Sequence, residues 1–179
     1  MYQWQQHEIK IIRSAQQPTS TIKVGDTAAI VELFRQHADE ADQESLWVLA
    51  FDSEKQLIGV QELHRGNSWS VMVHRPLVLR FPIVLNAHGF MVVHNHPTGP
   101  AEASNADLDF TSDLYRISTD LGLDFHDSLI VGVGGQHSSL RASLRKTTEP
   151  IWHDHVFPGT CRELGELCKV RPTELAETA

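Results

Sequence analysis

Hydrophobic and polar positions recur with different periods along this chain, and the period names the element. Glu8 to Ile12 reads as a short strand, followed by a polar connector. Gly25-Asp26 opens a helix, with Asp26 at the capping position and Ile30, Leu33, Phe34 and His37 at helical spacing. The acidic run Asp39-Glu40-Ala41-Asp42 ends it. Ser45 to Phe51 is nearly all apolar, as in a strand covered on both faces. Asp52 to Lys55 is a turn, and Gln56 to Leu63 returns as the second arm of an antiparallel hairpin. Trp69 to His74 is a third strand.

Arg75 to Ala87 carries a helical stripe of Leu77, Val78, Phe81, Val84 and Leu85, with Pro82 inside it, where it should break or kink the helix. Phe90 to His94 is a buried strand that runs into a loop at 95–103. Ser104 caps the next helix, in which Phe110, Leu114, Ile117 and Leu121 form the apolar stripe and Gly122 takes the left-handed position after the end. Ser128 to Gly132 is a further strand, and Gly134-Gly135 a turn. This succession predicts an α/β or α+β sandwich, a mixed sheet flanked by helices. After about Arg145 the character changes to a proline-bearing tail with a Trp152-His153-Asp154-His155 cluster, read as a solvated hinge rather than a second metal site because no third ligand sits at suitable spacing. No internal repeat is present.

Length and charge narrow the function classes. The chain has 179 residues, enough for one compact domain with a tail. Its formal net charge is −8, and its Lys and Arg residues do not cluster, so direct binding to nucleic acid is not expected. No apolar run spans a bilayer, and the start has no signal-peptide pattern. Cys161 and Cys168 cannot build a disulfide framework, which points to a reducing cytoplasm. Eleven histidines are many for this length, and two of them carry the chemistry.

Those two are His94 and His96, in His94-Asn95-His96-Pro97-Thr98-Gly99. Residues two apart on an extended backbone point to one side, so both imidazoles can reach one ion. Pro97 and Gly99 turn the chain back, and Ser104-x-x-Asp107 resembles a capping box that places Asp107 in the first helical turn, near the dipole's positive end. Either short motif alone matches by chance. Together they make a three-ligand set of two imidazoles and one carboxylate, which suits zinc with a fourth position open for catalysis.

H-x-H-P-x-G with S-x-x-D eight residues beyond the second His resembles the JAMM motif of the JAB/MPN metalloprotease superfamily. Val93 to Gly99 is similar to the V-H-N-H-P-S/T-G loop of its RadC-like branch. Glu8-Ile9-Lys10, Glu44, Phe51-Asp52, Val73-His74 and Asp127 with Leu129 to Gly132 fall at matching places, so the resemblance covers about residues 7–140. It implies a cytidine-deaminase-like sandwich over residues 1–145, with 146–179 as an extension of unassigned role. It implies Zn2+ held by His94, His96 and Asp107, with Ser104 stabilising an oxyanion.

The resemblance also requires a glutamate as general base. Glu44, just ahead of the first apolar strand, is favoured, and Glu62 on the second strand is the rival. A carboxylate beside an apolar strand is partly desolvated, which raises its pKa toward a base's working range. His64, His74, His88, His126 and His137 are read as structural or exposed rather than as ligands, with His74 and His126 near enough to matched family positions to be candidates for supporting the site. Two places depart from its pattern: His74-Arg75-Pro76-Leu77 stands where H-P-R-E is common, and Asp127-Ser128 where D-H is common. The implied activity is hydrolysis of an amide or isopeptide in a peptide or protein, including ubiquitin-like tails. The alternatives are a DNA-repair-associated role and a non-catalytic interaction module.

Overall fold

The computed structural model describes residues 22–66, 73–97 and 100–141. Through them run α1 (Thr27–Glu40), β1 (Ser45–Phe51), β2 (Leu57–Arg65), α2 (Arg75–Val84), β3 (Gly89–His96), α3 (Asn105–Asp120), β4 (Asp124–Gly132), a 3-10 turn (Val133–Gly135) and β5 (His137–Ser139). The five strands form one sheet in the order β2-β1-β3-β4-β5. β1 is antiparallel to β2 and β3, β3 and β4 are parallel, and β5 returns antiparallel. This is the mixed sheet flanked by helices that the succession of elements predicts.

Strand alternation sorts the core into two halves. Trp47, Leu49 and Phe51 of β1 pack with Met91 and Val93 of β3, Leu129 and Val131 of β4, and Ile30, Val31, Phe34 and Ala38 of α1. Leu46 and Val48 pack with Phe90 and Val92 of β3, Val78 and Leu79 of α2, and Phe110 and Leu114 of α3. All seven residues of β1 are therefore buried. Each such Leu, Val or Phe contributes about 1.5–3 kcal/mol over its exposed state. Gly59 lets α2 sit close on β2, because a Cβ there would stand 2.8 Å from Leu85 Cδ1.

Several local expectations are corrected. The buried stripe of α1 is Ile30, Val31, Phe34 and Ala38, while Leu33 is 44% exposed and His37 lies outside it, over Trp47. Asp26 stands at the N-cap without capping through its side chain; its carboxylate accepts from Lys23 N–H instead. α2 continues through Pro82, which is buried, and ends at Val84. The missing N–H removes one intrahelical bond, but the packed apolar face holds the turn, and Asn86 at φ 52° carries the chain out. β3 extends to His96, so the expected loop begins later. β2 and β4 also outrun their apolar runs, reaching Arg65 and starting at Asp124.

The strands expected at 8–12 and at 69–72, the 152–155 cluster, Cys161, Cys168 and the 146–179 extension lie outside the described residues. Val73 and His74, the end of that third expected strand, instead lead into α2, with His74 at its N-cap.

Candidate metal centre

The even-numbered residues of β3 face α3, and that face carries Phe90 and Val92 into the core before it reaches His94 and His96. His94 is fully buried and His96 is 17% exposed at its side chain. α3 begins at this strand end. Ser104 Oγ accepts from Asp107 N–H (3.2 Å), while Asp107 Oδ2 accepts from Ser104 N–H and Ser104 Oγ, each at 2.7 Å. This reciprocal capping box fixes the carboxylate, which is 4% exposed. Its other oxygen, Oδ1, lies 3.3 Å from His94 Nε2, and Oδ2 lies 3.9 Å from His96 Nε2.

The donor chemistry fits a metal ion. The Nε2 atoms of His94 and His96 face each other at 3.1 Å, and one donor atom from each of His94, His96 and Asp107 lies within 4.8 Å of the others. His96 Nδ1 is 3.0 Å from Pro100 O. A carbonyl only accepts, so Nδ1 carries the hydrogen and Nε2 of the neutral ring presents its lone pair. Burial, opposed by Asp107 and reinforced by His96, pushes His94 down to about 4. That imidazole is therefore neutral near pH 7, the form that ligates.

Glu44 and Glu62 stand on opposite sides of the sheet. The β1–β3 register pairs Leu46 with His94, so Glu44, two residues earlier, falls beside His96 on the α3 face. Glu44 lines a pocket of about 370 Å³ with His96, Pro97, Pro100, Glu102, Ala103 and Ser104. Burial lifts its carboxyl above the ordinary glutamate range; Asp107 adds to this, and His96 opposes it. Glu62 pairs with Trp47 on the α1 face. It is gripped by Arg65, at 2.8 Å from Nε and 3.1 Å from Nη2, and by Ser45 Oγ at 3.3 Å. The Arg65 hydrogen bond above all holds Glu62 below its usual range.

The structure thus brings Glu44, His96 and Ser104 to one pocket wall beside His94 and Asp107, and leaves Glu62 on the far face. His126 does not support this site: it packs edge-on against Phe51 near Gly89, at the opposite end of β3. Asp127 also lies apart, accepting from Ser128 N–H, Ser139 Oγ and Arg141 N–H, which ties β5 to β4. The sequence reading missed Pro100, whose contribution is a backbone carbonyl and leaves no side-chain signal.

A JAB-type site with this H-x-H and S-x-x-D geometry has a matching family. The model of the RadC-like JAB domain matches residues 24–146. This chain belongs to that family. A UPF0758 protein of Clostridium acetobutylicum is 28% identical over 114 residues, covering 64% of this chain and 50% of that protein. One from Rhodobacter capsulatus is 29% identical over 137 residues, covering 73% and 64%. One from Latilactobacillus sakei is 32% identical over 99 residues, covering 55% and 44%. The RadC-like chain described here spans about half the length of such relatives. None of its described helices is long and apolar enough to cross a membrane.

Proposed function

We propose that this RadC-like JAB domain is a zinc-dependent hydrolase of amide bonds in peptides or proteins. The observation that carries the reading is the meeting of His94, His96 and Asp107 at one point with Glu44 across an open pocket. His94 Nε2, His96 Nε2 and Asp107 Oδ1 are the donors that would hold the ion. Zinc, when bound, supplies Lewis acidity that polarises a carbonyl and acidifies water near neutral pH.

The chain's own groups do the rest. Glu44 takes a proton from the attacking water and returns it to the leaving amine; its raised pKa suits both transfers. Ser104 Oγ stands at the pocket wall, where its hydroxyl turns from Asp107 Oδ2 toward the oxyanion formed from the substrate carbonyl. Asp107 Oδ2 then keeps the Ser104 N–H. An oxyanion donor of this kind is worth about 3 kcal/mol. The pocket's openness to solvent fits a chain segment rather than an enclosed small molecule. An isopeptide at a ubiquitin-like tail is one substrate of this class.

Elemental analysis of the purified chain beside Asp107→Ala tests the reading. About one zinc per chain is expected, lost in the variant. Equal metal content in both proteins, or none in either, overturns it.

A further inference from the structure

We infer that Asn95 is the positioning residue for Glu44: its carboxamide, on the face opposite the metal ligands, clamps the backbone on both sides of Glu44 and fixes the carboxylate's place against the triad. This rests on the metal-dependent hydrolase reading above and deepens it.

The paired backbone ladder between β1 and β3 ends at Leu46 and His94. Glu44 lies beyond it, where main-chain pairing with β3 no longer sets its position. Asn95 takes over at that point. Its Oδ1 accepts from Ser45 N–H at 2.7 Å, and its Nδ2 donates to Gln43 O at 3.2 Å. One planar amide therefore satisfies the N–H after Glu44 and the carbonyl before it. On the other side, Gly66 N–H donates to Glu44 O at 2.8 Å, so the Glu44 backbone is held from both neighbours.

Asn95 is fully buried, and strand alternation puts it on the α1 face with Met91 and Val93. A buried carboxamide is worth keeping only when its donors and acceptor are met. The pairing also explains the composition of the H-x-H element. His94 and His96 face α3, so the residue between them faces away, and its side chain reaches sideways to the chain ahead of β1. Asparagine has the length for both contacts, and it is the neutral side chain of that size with an acceptor and a donor in one plane. The same three residues thus present two ligands on one face and brace the general base from the other. Misplacing a reacting group by about 1 Å can reduce a rate about 100-fold.

The test uses the full chain loaded with Co2+ and carrying a 13C label on glutamate carboxyls. The resonance of Glu44, assigned by its loss in Glu44→Gln, is expected to show a large paramagnetic shift. In Asn95→Ala that shift falls by at least half, while the hyperfine-shifted imidazole signals of His94 and His96 stay in place. Ser45 N–H exchanges faster with solvent in the same variant. Asn95→Asp matches the volume and keeps an acceptor for Ser45 but turns an oxygen toward Gln43 O; it gives an intermediate loss, and it serves if Asn95→Ala does not fold. General loosening of the domain would move the imidazole signals together with that of Glu44. An unchanged Glu44 shift with cobalt bound overturns this inference alone. Failure of the wild-type chain to take up cobalt overturns the metal-centre reading and this inference with it.

Discussion

Glu44 and Glu62 show how a carboxylate's surroundings decide what it can do. Glu62 is neutralised by Arg65 and held ionised, so it makes a poor proton acceptor near neutral pH. Glu44 is half-buried, no arginine or lysine among the described residues hydrogen-bonds it, and burial raises its carboxyl pKa. Glu44→Gln is expected to abolish peptide hydrolysis and leave zinc content unchanged; wild-type turnover in that variant would remove Glu44 from the mechanism. Ser104→Ala removes both the cap and one donor to Asp107. It should cost about 1 kcal/mol of stability in denaturant melts and weaken zinc about 10- to 100-fold in chelator competition. The grouping of His94, His96 and Asp107 was legible in the sequence because alternation and a capping box are local rules. Which of the two glutamates lies beside the His-His-Asp group became visible only through strand register, which places them on opposite faces.

A second residue-scale prediction concerns His126, which is buried and whose Nε2 has no hydrogen-bond partner among the described residues. Burial above all, opposed by Asp124 and reinforced by Arg141, Lys55 and His88, pushes it down to about 4. In the unfolded chain the imidazole takes up its proton near about 6.5. Between those values the unfolded state binds more protons, so the stability His126 allows is full above about pH 6.5 and is lost as pH falls toward about 4. Asp127, raised by burial, has the opposite sign, its contribution declining as pH rises through its folded value. His126→Gln should therefore flatten the decline in Tm between about pH 6.5 and about pH 4. An identical decline in the variant would assign acid sensitivity elsewhere.

At the scale of elements, α3 does two jobs from one sequence. Its first turn supplies Asp107, and its interior supplies Phe110 and Leu114 to the core beneath β1 and β3. Arg75 adds a lateral tie, bonding Asp113 at 2.9 Å while standing 5.1 Å from the Phe110 ring centre. Phe110→Ala should destabilise the fold by about 3–5 kcal/mol, read as a lower urea midpoint. On the proposed reading it should also weaken zinc binding, because α3 carries Asp107 in its first turn. The helices were legible from their stripes, but their details were not. Which flank of a stripe is covered depends on the partner surface, so α1 buries Val31 and Ala38 and leaves Leu33 in water. Pro82 carries a local penalty that tertiary packing outweighs, a balance no local pattern reports. Ends of strands such as His96 depend on pairing partners distant in sequence.

Taken together, the described residues form a sheet with helices on both faces and the candidate chemistry at one end of a central strand. Placing the site where β3 meets α3 keeps both histidines on a rigid strand braced by β1 and β4. The charge of −8 makes an electrostatic prediction at this scale. Duplex DNA should produce no mobility shift with the full chain even at low salt. A shift that weakens as salt rises would revive a direct role on nucleic acid.

Because β3 is covered on both sides, its parity leaves no slack. Inserting or deleting one residue between Gly89 and Val92 would rotate every later side chain to the other face, sending both imidazoles toward Trp47 and Val93 toward Asp107. Changes in chain length can therefore gather in the connections around this strand, whereas inside it a single-codon indel would pull the His-His-Asp group apart without changing the identity of any of its three residues.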